Sequence, residues 1–376
     1  MERTEWGEAE YKNFWQTGPG TLAGRFMRMF WQPICRSEDL PPKASKPLRI
    51  LGEDLTLYRG EEGEPHLVDF RCAHRRAQLS VGWVEGDCIR CFYHGWKYDA
   101  SGQCVEQPAE EKPFSDKVRI LSYPVQDYLG LIFAYMGKDA QPPLPRYPDF
   151  EHVDGVRYAR IEYRDFNFFQ DFENGMDRAH TGFAHRARAG AFDGSFDSPA
   201  VGAEEDDWGL KTYTKHASGR KGIQSYGMPN IQHILSTFAD ADSLIWKVPT
   251  DDEHTAHFMV RAFRGLEAVG KYAEDRACRV TKTWKDPMAL AQEIVAGKLK
   301  YEQIDPYTTD MVSLEDDIAL LAQGAIVDRS KEWLGSSDAP IRLLRLIWER
   351  ELRTIAQDRV PKCWNYVPGT AALRRA

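Results

Sequence analysis

Two short segments constrain this chain more than any others: Cys72-Ala-His74 and Cys91-Phe-Tyr-His94, a C-x-H-x16-C-x2-H pattern. Each offers one thiolate and one imidazole, so two loops must be brought side by side to pinch one metal centre. Cysteine and histidine together suit zinc or an iron–sulfur cluster. Two of each is also the ligand count of a [2Fe-2S] centre in which imidazoles replace the thiolates on one iron. That exchange makes a cluster less negative and lifts its potential to roughly −150 to +300 mV, the range of an electron relay.

The remainder of the composition narrows what such a centre serves. At 376 residues the chain is long enough for about two to three domains. Lys plus Arg number 49 against 57 Asp plus Glu, a formal charge of −8 with no basic tail, which argues against nucleic acid as a partner. Apolar residues at 42% and aromatics at 12% exclude a disordered chain. The longest strongly apolar stretch, Leu129 to Met136, falls far short of the roughly 20 residues of a membrane helix. The N-terminus, Met1-Glu2-Arg3-Thr4-Glu5-Trp6, carries charges where a secretory signal needs an apolar run, so a cytoplasmic protein without a membrane anchor is expected. Seven cysteines, an odd number, argue against a disulfide framework; Cys35, Cys88, Cys104, Cys278 and Cys363 read as ordinary cysteines.

Around the paired loops, Pro47–Leu51, Leu55–Tyr58, His66–Phe70 and Leu129–Tyr135 have strand idiom, with Gly60, Gly63, Gly82, Gly86 and Gly102 between them. A small all-β domain is expected there. The four prolines of Gln141-Pro-Pro-Leu-Pro-Arg-Tyr-Pro148 mark a stiff linker. Beyond it, Val156–Tyr163, Ile231–Phe238, Leu244–Val248 and His254–Phe263 predict longer strands of a twisted antiparallel sheet. The Gly-, Ala- and charge-rich stretch from Arg186 to Gly222 reads as long connecting segments. Ile341, Leu344, Trp348, Leu352 and Ile355 recur at helical spacing and predict a core-packed helix face.

A second constellation lies between these strands. Asn167 opens a stretch running through Gln170, Glu173, Asn174 and Asp177 to His180 and His185. Five residues apart, the two imidazoles would be rotated by about 140° on an unbroken helix, so a helix end or kink near Thr181-Gly182 is needed to bring them together. Asp177, three residues before His180, is expected on the same helix face. Further on, Glu315-Asp316-Asp317 offers a carboxylate. Two histidines and one carboxylate make a facial triad, which leaves the opposite face of Fe(II) open.

With both constellations in view, the chain resembles the Rieske non-haem iron oxygenases, the large (α) subunits of ring-hydroxylating oxygenases. His74-Arg-Arg-Ala-Gln-Leu-Ser-Val-Gly82 and Tyr93-His94-Gly95-Trp96-Lys-Tyr-Asp99 resemble the two cluster-binding loops of Rieske domains, and the bracketing β runs fit two hairpin tips better than a zinc knuckle. The order of cluster domain, D-x2-H-x4-H element and late carboxylate matches throughout. Within the family, Gly18-Pro-Gly-Thr21, Met29-Phe-Trp-Gln-Pro33 and Asp316 through Asp328-Arg329 are similar to the branch of phthalate dioxygenases and aromatic O-demethylases.

This resemblance implies an α+β protein: an N-terminal segment (1–25) packing on the catalytic domain, an all-β Rieske [2Fe-2S] domain (26–140), and a helix-grip (START/Bet v 1-like) catalytic domain with an antiparallel sheet (141–376). It implies that Cys72, His74, Cys91 and His94 hold the cluster, and that His180, His185 and Asp316, with Asp317 as second choice, hold a mononuclear Fe(II). Asp177 would be the inter-subunit electron bridge between His94 of one copy and His180 of the next, in a homotrimer or a dimer of trimers. Glu173, Asn167 and Gln170 would lie around the iron. Electrons would come from an NAD(P)H-dependent reductase, with FMN and its own [2Fe-2S] cluster in this branch, or a ferredoxin, because the chain has no Rossmann glycine motif. With O2 they would serve to hydroxylate or dihydroxylate a small aromatic, in the first place an aromatic acid, or to O-demethylate a methoxylated one. Arg186, Arg188 and Arg261 are candidates to clamp a substrate carboxylate.

Overall fold

The computed structural model describes residues 6–185, 199–217, 219–234, 241–265, 267, 269, 270, 272, 273 and 283–366. Arg186, Arg188, Cys278 and the end of the expected strand Ile231–Phe238 lie outside them.

The N-terminal half is built of three small antiparallel sheets. One pairs Ser45–Ile50, Glu53–Arg59, Pro65–Asp69 and Ser122–Tyr123, a second Trp83–Glu85, Cys88–Arg90, Lys97–Tyr98 and Cys104–Glu106, and a third Gln32–Arg36, Leu131–Ala134 and Val125–Tyr128. Leu129-Gly130 does not begin a strand, as its apolar character suggested. With φ of 54° and 82° the two residues form the tight turn that joins Tyr128 to Leu131. Leu51-Gly52 repeats the device between Ile50 and Glu53, because a two-residue hairpin needs left-handed φ at both positions to match strand twist.

The second half is a seven-stranded antiparallel sheet in the order Gly155–Arg164, Thr255–Arg264, Ala241–Pro249, Ile231–Ile234, Lys221–Gly227, Gly209–Lys215, Ala200–Glu205. Two of these strands, Ala200–Glu205 and Gly209–Lys215, and the start of a third, Lys221–Gly227, occupy the stretch from Arg186 to Gly222 expected to be connecting segments. The alternation was weak because, of the alternating buried positions Leu210, Thr212 and Thr214, only the first is apolar. The inner strand Ala241–Pro249 is buried on both faces. On one face Trp246 packs edge-on against Phe133 and Tyr147 of the N-terminal half. The hairpin tip at Leu51 and Gly52 also donates its N–H groups to the carbonyls of Pro249 and Thr250. The two halves therefore share one apolar core, while a separate core of Val68, Leu79, Ile89, Trp96 and Tyr98 lies under the cluster loops.

Helices cover the other face of the sheet. The helix Ala339–Ala356 buries the expected stripe of Ile341, Leu344, Trp348, Leu352 and Ile355. Trp348 collects Phe14, Phe26, Phe168 and Phe169, which joins the N-terminal segment to the helix Phe168–Met176. No described helix is long and apolar enough to cross a membrane.

A buried ionic knot ties the helix Phe168–Met176 to the sheet: Lys247 Nζ lies 2.7 Å from Asp171 Oδ1, and His257 Nε2 meets the other carboxylate oxygen. Burial alone would raise the Asp171 carboxyl, but His257 and Lys247 hold it well below the usual range. Its contribution to stability is thus complete above the unfolded carboxylate value near 4 and disappears as pH falls below it. Asp171→Asn strands a buried ammonium, so we expect a loss of about 3–5 kcal/mol, read as a lower urea midpoint at neutral pH and a shallower fall of stability between pH 5 and pH 3. An unchanged midpoint would refute the role of the pair.

Two candidate metal centres

The cluster loops are conformational copies. In the first, Cys72 N–H donates to Ala77 O at 2.8 Å and Arg76 N–H returns to Cys72 O at 3.0 Å; in the second, Cys91 N–H donates to Trp96 O at 2.8 Å and Gly95 N–H to Cys91 O at 3.1 Å. The fifth residue of each loop is left-handed, Arg76 at φ 60° and Gly95 at φ 73°. Glycine is needed at the second, because a Cβ there would come within 2.9 Å of Pro108.

Within this frame the four donors fall into two pairs. Cys72 and Cys91 are both buried, and their mutual hydrogen bond with burial raises the Cys72 thiol. The Cys91 thiol is pushed down to about 6, first by the hydrogen bond from Cys72 and then, against the effect of burial, by the N–H groups of Tyr93 and His94. Tyr98 Oη accepts from Ala73 N–H at 3.1 Å and so directs its own proton to Cys72 Sγ, also at 3.1 Å. His74 and His94 face each other with ring centroids 4.5 Å apart, and His74 stacks on Trp96. The buried Nδ1 of His74 makes no hydrogen bond. Among the described residues, no three of these four donors lie within 4.8 Å of one another. A single tetrahedral ion, with bonds of about 2.0–2.3 Å, would require that convergence. A binuclear cluster with sulfurs on one iron and imidazoles on the other fits. Trp83, Phe92 and Tyr93 stand exposed around the loops, with Arg75 over the Tyr93 ring.

The second centre forms where a helix stops. The helix Phe168–Met176 ends at Asp177, not near Thr181-Gly182, and His180–Gly182 is a separate 3-10 turn, so Asp177 and His180 do not share a helix face. Asp177 Oδ1 accepts from the N–H groups of Ala179 and His180 at 2.8 and 3.3 Å and holds the break open. Asp316, from the helix Met311–Leu321, then meets both imidazoles: its Oδ1 lies 3.4 Å from His180 Nε2 and 3.3 Å from His185 Nε2. Those three ligand atoms form the group lying within 4.8 Å of one another. Asp316 Oδ1 is sealed from solvent without a hydrogen bond, as a group aimed at an ion would be. Burial would raise Asp316 and lower His185, but the pairing prevails: Asp316 is held far below the usual carboxylate range, and Asp316 with Glu315 pushes His185 up to about 9. The donor set of two imidazoles and one carboxylate fits Fe(II) with an open face.

Other expected residues have different partners. Asp317 turns away to pair with buried Arg164. Asn167 caps its helix through Phe169 N–H and donates to the carbonyls of Trp15 and Asp252. Gln170 binds Gly324 O and Val327 N–H, just beyond the helix that bears Asp316. Glu173 pairs with Arg329 and Arg345. All three brace the scaffold rather than contact the triad. Sequence reasoning missed Glu315 as a partner of His185, 2.8 Å from its Nδ1.

Comparison with known proteins agrees with a Rieske cluster and a mononuclear iron as the cofactors. The family model described as the Rieske [2Fe-2S] domain matches residues 30–128. Over 366 residues the chain is 32% identical to the 5,5'-dehydrodivanillate O-demethylase oxygenase subunit of Sphingobium sp., covering 92% of this chain and 80% of that relative. It is 29% identical to the phenoxybenzoate dioxygenase subunit alpha of Ectopseudomonas oleovorans, covering 94% and 88%. The terminal oxygenase of carbazole 1,9a-dioxygenase from Novosphingobium sp. KA1 has the same fold, with a TM-score of 0.68 at 20% identity over 93% of this chain and 96% of that one.

Proposed function

This chain belongs to the Rieske-type non-haem iron oxygenases, and from that footing we propose that Cys72, His74, Cys91 and His94 hold its [2Fe-2S] cluster and that His180, His185 and Asp316 hold its mononuclear iron. The observation that carries this reading is the sharing of Asp316 Oδ1 between the two Nε2 atoms. When bound, the iron supplies open coordination positions for dioxygen and the cluster supplies an electron.

The chain's own residues orient and insulate these centres. Tyr98 donates to a cluster thiolate, which withdraws charge from the sulfur and favours the reduced cluster. The exposed collar of Trp83, Phe92 and Tyr93 is apolar surface suited to docking. A head-to-tail homotrimer would seat that collar of one copy against the catalytic half of the next, with Asp177 between His94 and His180. Electrons then enter from an NAD(P)H-dependent reductase or a ferredoxin in the cytoplasm. We divide the chain at 25 and 140, although the helix Leu22–Arg28 spans the first boundary.

The substrate faces the sheet. Lys247 points to the helix Phe168–Met176, so by strand register Ile245 and its partner Met259 share that face, followed by Ser243 and Arg261. Arg261 lies beside Tyr158 and Phe263, an apolar and cationic surface that suits an aromatic acid. Hydroxylation of such a ring is the principal reading. Oxidative O-demethylation is the second, favoured by the O-demethylase relative at 32% identity.

Metal and product analysis tests both levels. Purified holoprotein is expected to hold about three irons and two acid-labile sulfides per chain. With a reductase and NADH, aromatic acids should drive oxygen uptake to a hydroxylated product or diol, and methoxylated aromatics to formaldehyde. Zinc without sulfide, or two irons without a third, would overturn the assignment.

A further inference from the structure

The catalytic triad is not symmetric in what stands behind it. His180 Nδ1 is sealed from solvent and makes no hydrogen bond, with Asp177 Oδ2 3.8 Å away. His185, by contrast, is gripped at both ring nitrogens by consecutive residues of one helix. Its Nδ1 lies 2.8 Å from Glu315 Oε2 and its Nε2 3.3 Å from Asp316 Oδ1. Successive helical positions point about 100° apart, and the imidazole fits between them. The other oxygen of Glu315 accepts from the phenol of Tyr301, in the 3-10 turn Tyr301–Gln303. With one oxygen taken by each partner, the buried carboxylate cannot rotate.

We propose that Glu315, braced by Tyr301, is the positioning residue of the iron site, holding His185 as its fixed anchor. This rests on the reading of His180, His185 and Asp316 as the iron ligands. A carboxylate only accepts hydrogen bonds, so the ring proton must sit on Nδ1, and Nε2 is left as the donor atom toward the metal. The negative charge behind the ring strengthens that donor and stabilises the more oxidised ion. Metal-bound imidazoles backed by carboxylates behave in this way generally. The consequence is a division of labour between the two imidazoles: His185 is locked through its Nδ1 by Glu315, whereas the nearest carboxylate oxygen behind His180 Nδ1 is Asp177 Oδ2, 3.8 Å away.

Two variants separate orientation from charge. Glu315→Leu removes both; Glu315→Gln keeps an acceptor oxygen for Nδ1–H and removes the charge. The probe is Co(II), titrated against a competing chelator into full-length protein that retains its cluster but has been stripped of mononuclear iron. Glu315→Leu is expected to weaken Co(II) by about tenfold to a hundredfold. Glu315→Gln should weaken it less than tenfold and raise the midpoint potential of the iron in the reloaded protein. Tyr301→Phe should weaken it a few-fold. The wild-type ring N–H of His185 should give a downfield proton resonance that vanishes in Glu315→Leu. Folding is checked by the cluster spectrum and the melting temperature. A folded Glu315→Leu protein that binds Co(II) within twofold of wild type overturns the proposal. If that variant fails to fold, Glu315→Gln with unchanged affinity and potential overturns it instead. Wild-type protein that takes up no Co(II), or Asp316→Ala that takes up one equivalent, would sink the iron site itself and this inference with it.

Discussion

Asp177→Asn is expected to keep the cluster and the mononuclear iron and to suppress turnover by about a hundredfold. The local fold survives because an asparagine Oδ1 can accept from Ala179 and His180 N–H as the carboxylate does, so the helix still ends at Met176 and the His180–Gly182 turn still forms. What changes is the other atom, 3.8 Å from His180 Nδ1. With its Nε2 on iron, His180 must carry its proton on Nδ1, and the asparagine NH2 would meet that N–H donor to donor. In the proposed head-to-tail assembly, the amide would also replace the carboxylate that faces His94 of a neighbouring copy. The charge that draws the two imidazoles together is lost, and with it the short polar path for the electron. The measurement is single turnover: reduced protein with substrate is mixed with oxygen, and cluster reoxidation is followed by absorbance. Slow reoxidation with unchanged iron and sulfide content is the expected result. Reoxidation at the wild-type rate would remove Asp177 from the electron path.

The parts of this molecule that could be read without coordinates are those in which residue type alone implies chemistry. The donors and spacing of Cys72, His74, Cys91 and His94 pointed to the Rieske domain that the family model matches over residues 30–128, and the apolar period of Ile341 to Ile355 to a packed helix. The division of Glu315, Asp316 and Asp317 could not be read, because three adjacent acids are equivalent until helix phase and partners are known. Glu315 then faces His185, Asp316 both imidazoles, and Asp317 an arginine 153 residues away in sequence. The strand Gly209–Lys215 was obscured for a related reason: beside Leu210 it turns the hydroxyls of Thr212 and Thr214 inward, so the usual apolar alternation is weak. Arg164 and Glu173 show the same limit, since their ion pairs join distant segments and no local pattern records them.

That helix phase makes the second large effect specific to one of the three acids. Asp316→Ala is expected to empty the mononuclear site. The oxygen it removes is the only anionic donor shared by His180 and His185 in this group, and two neutral imidazoles cannot neutralise a divalent cation held in a largely buried pocket. Structural four-ligand sites bind with about 10–16 kcal/mol, or roughly 3–4 kcal/mol per ligand, so the loss of one corresponds to about a hundredfold to a thousandfold in affinity. Iron should fall from about three to about two per chain with sulfide and the cluster spectrum unchanged, and substrate-coupled oxygen uptake should cease. Asp317→Ala provides the contrast. Its partner Arg164 keeps Glu162 but loses its buried contact with the helix Met311–Leu321, so this variant should lower the melting temperature yet retain the third iron. Were the outcomes exchanged, with iron lost from Asp317→Ala and kept in Asp316→Ala, the shared oxygen between the two imidazoles would be a packing contact and the metal would have to lie on the Arg164 side of the helix.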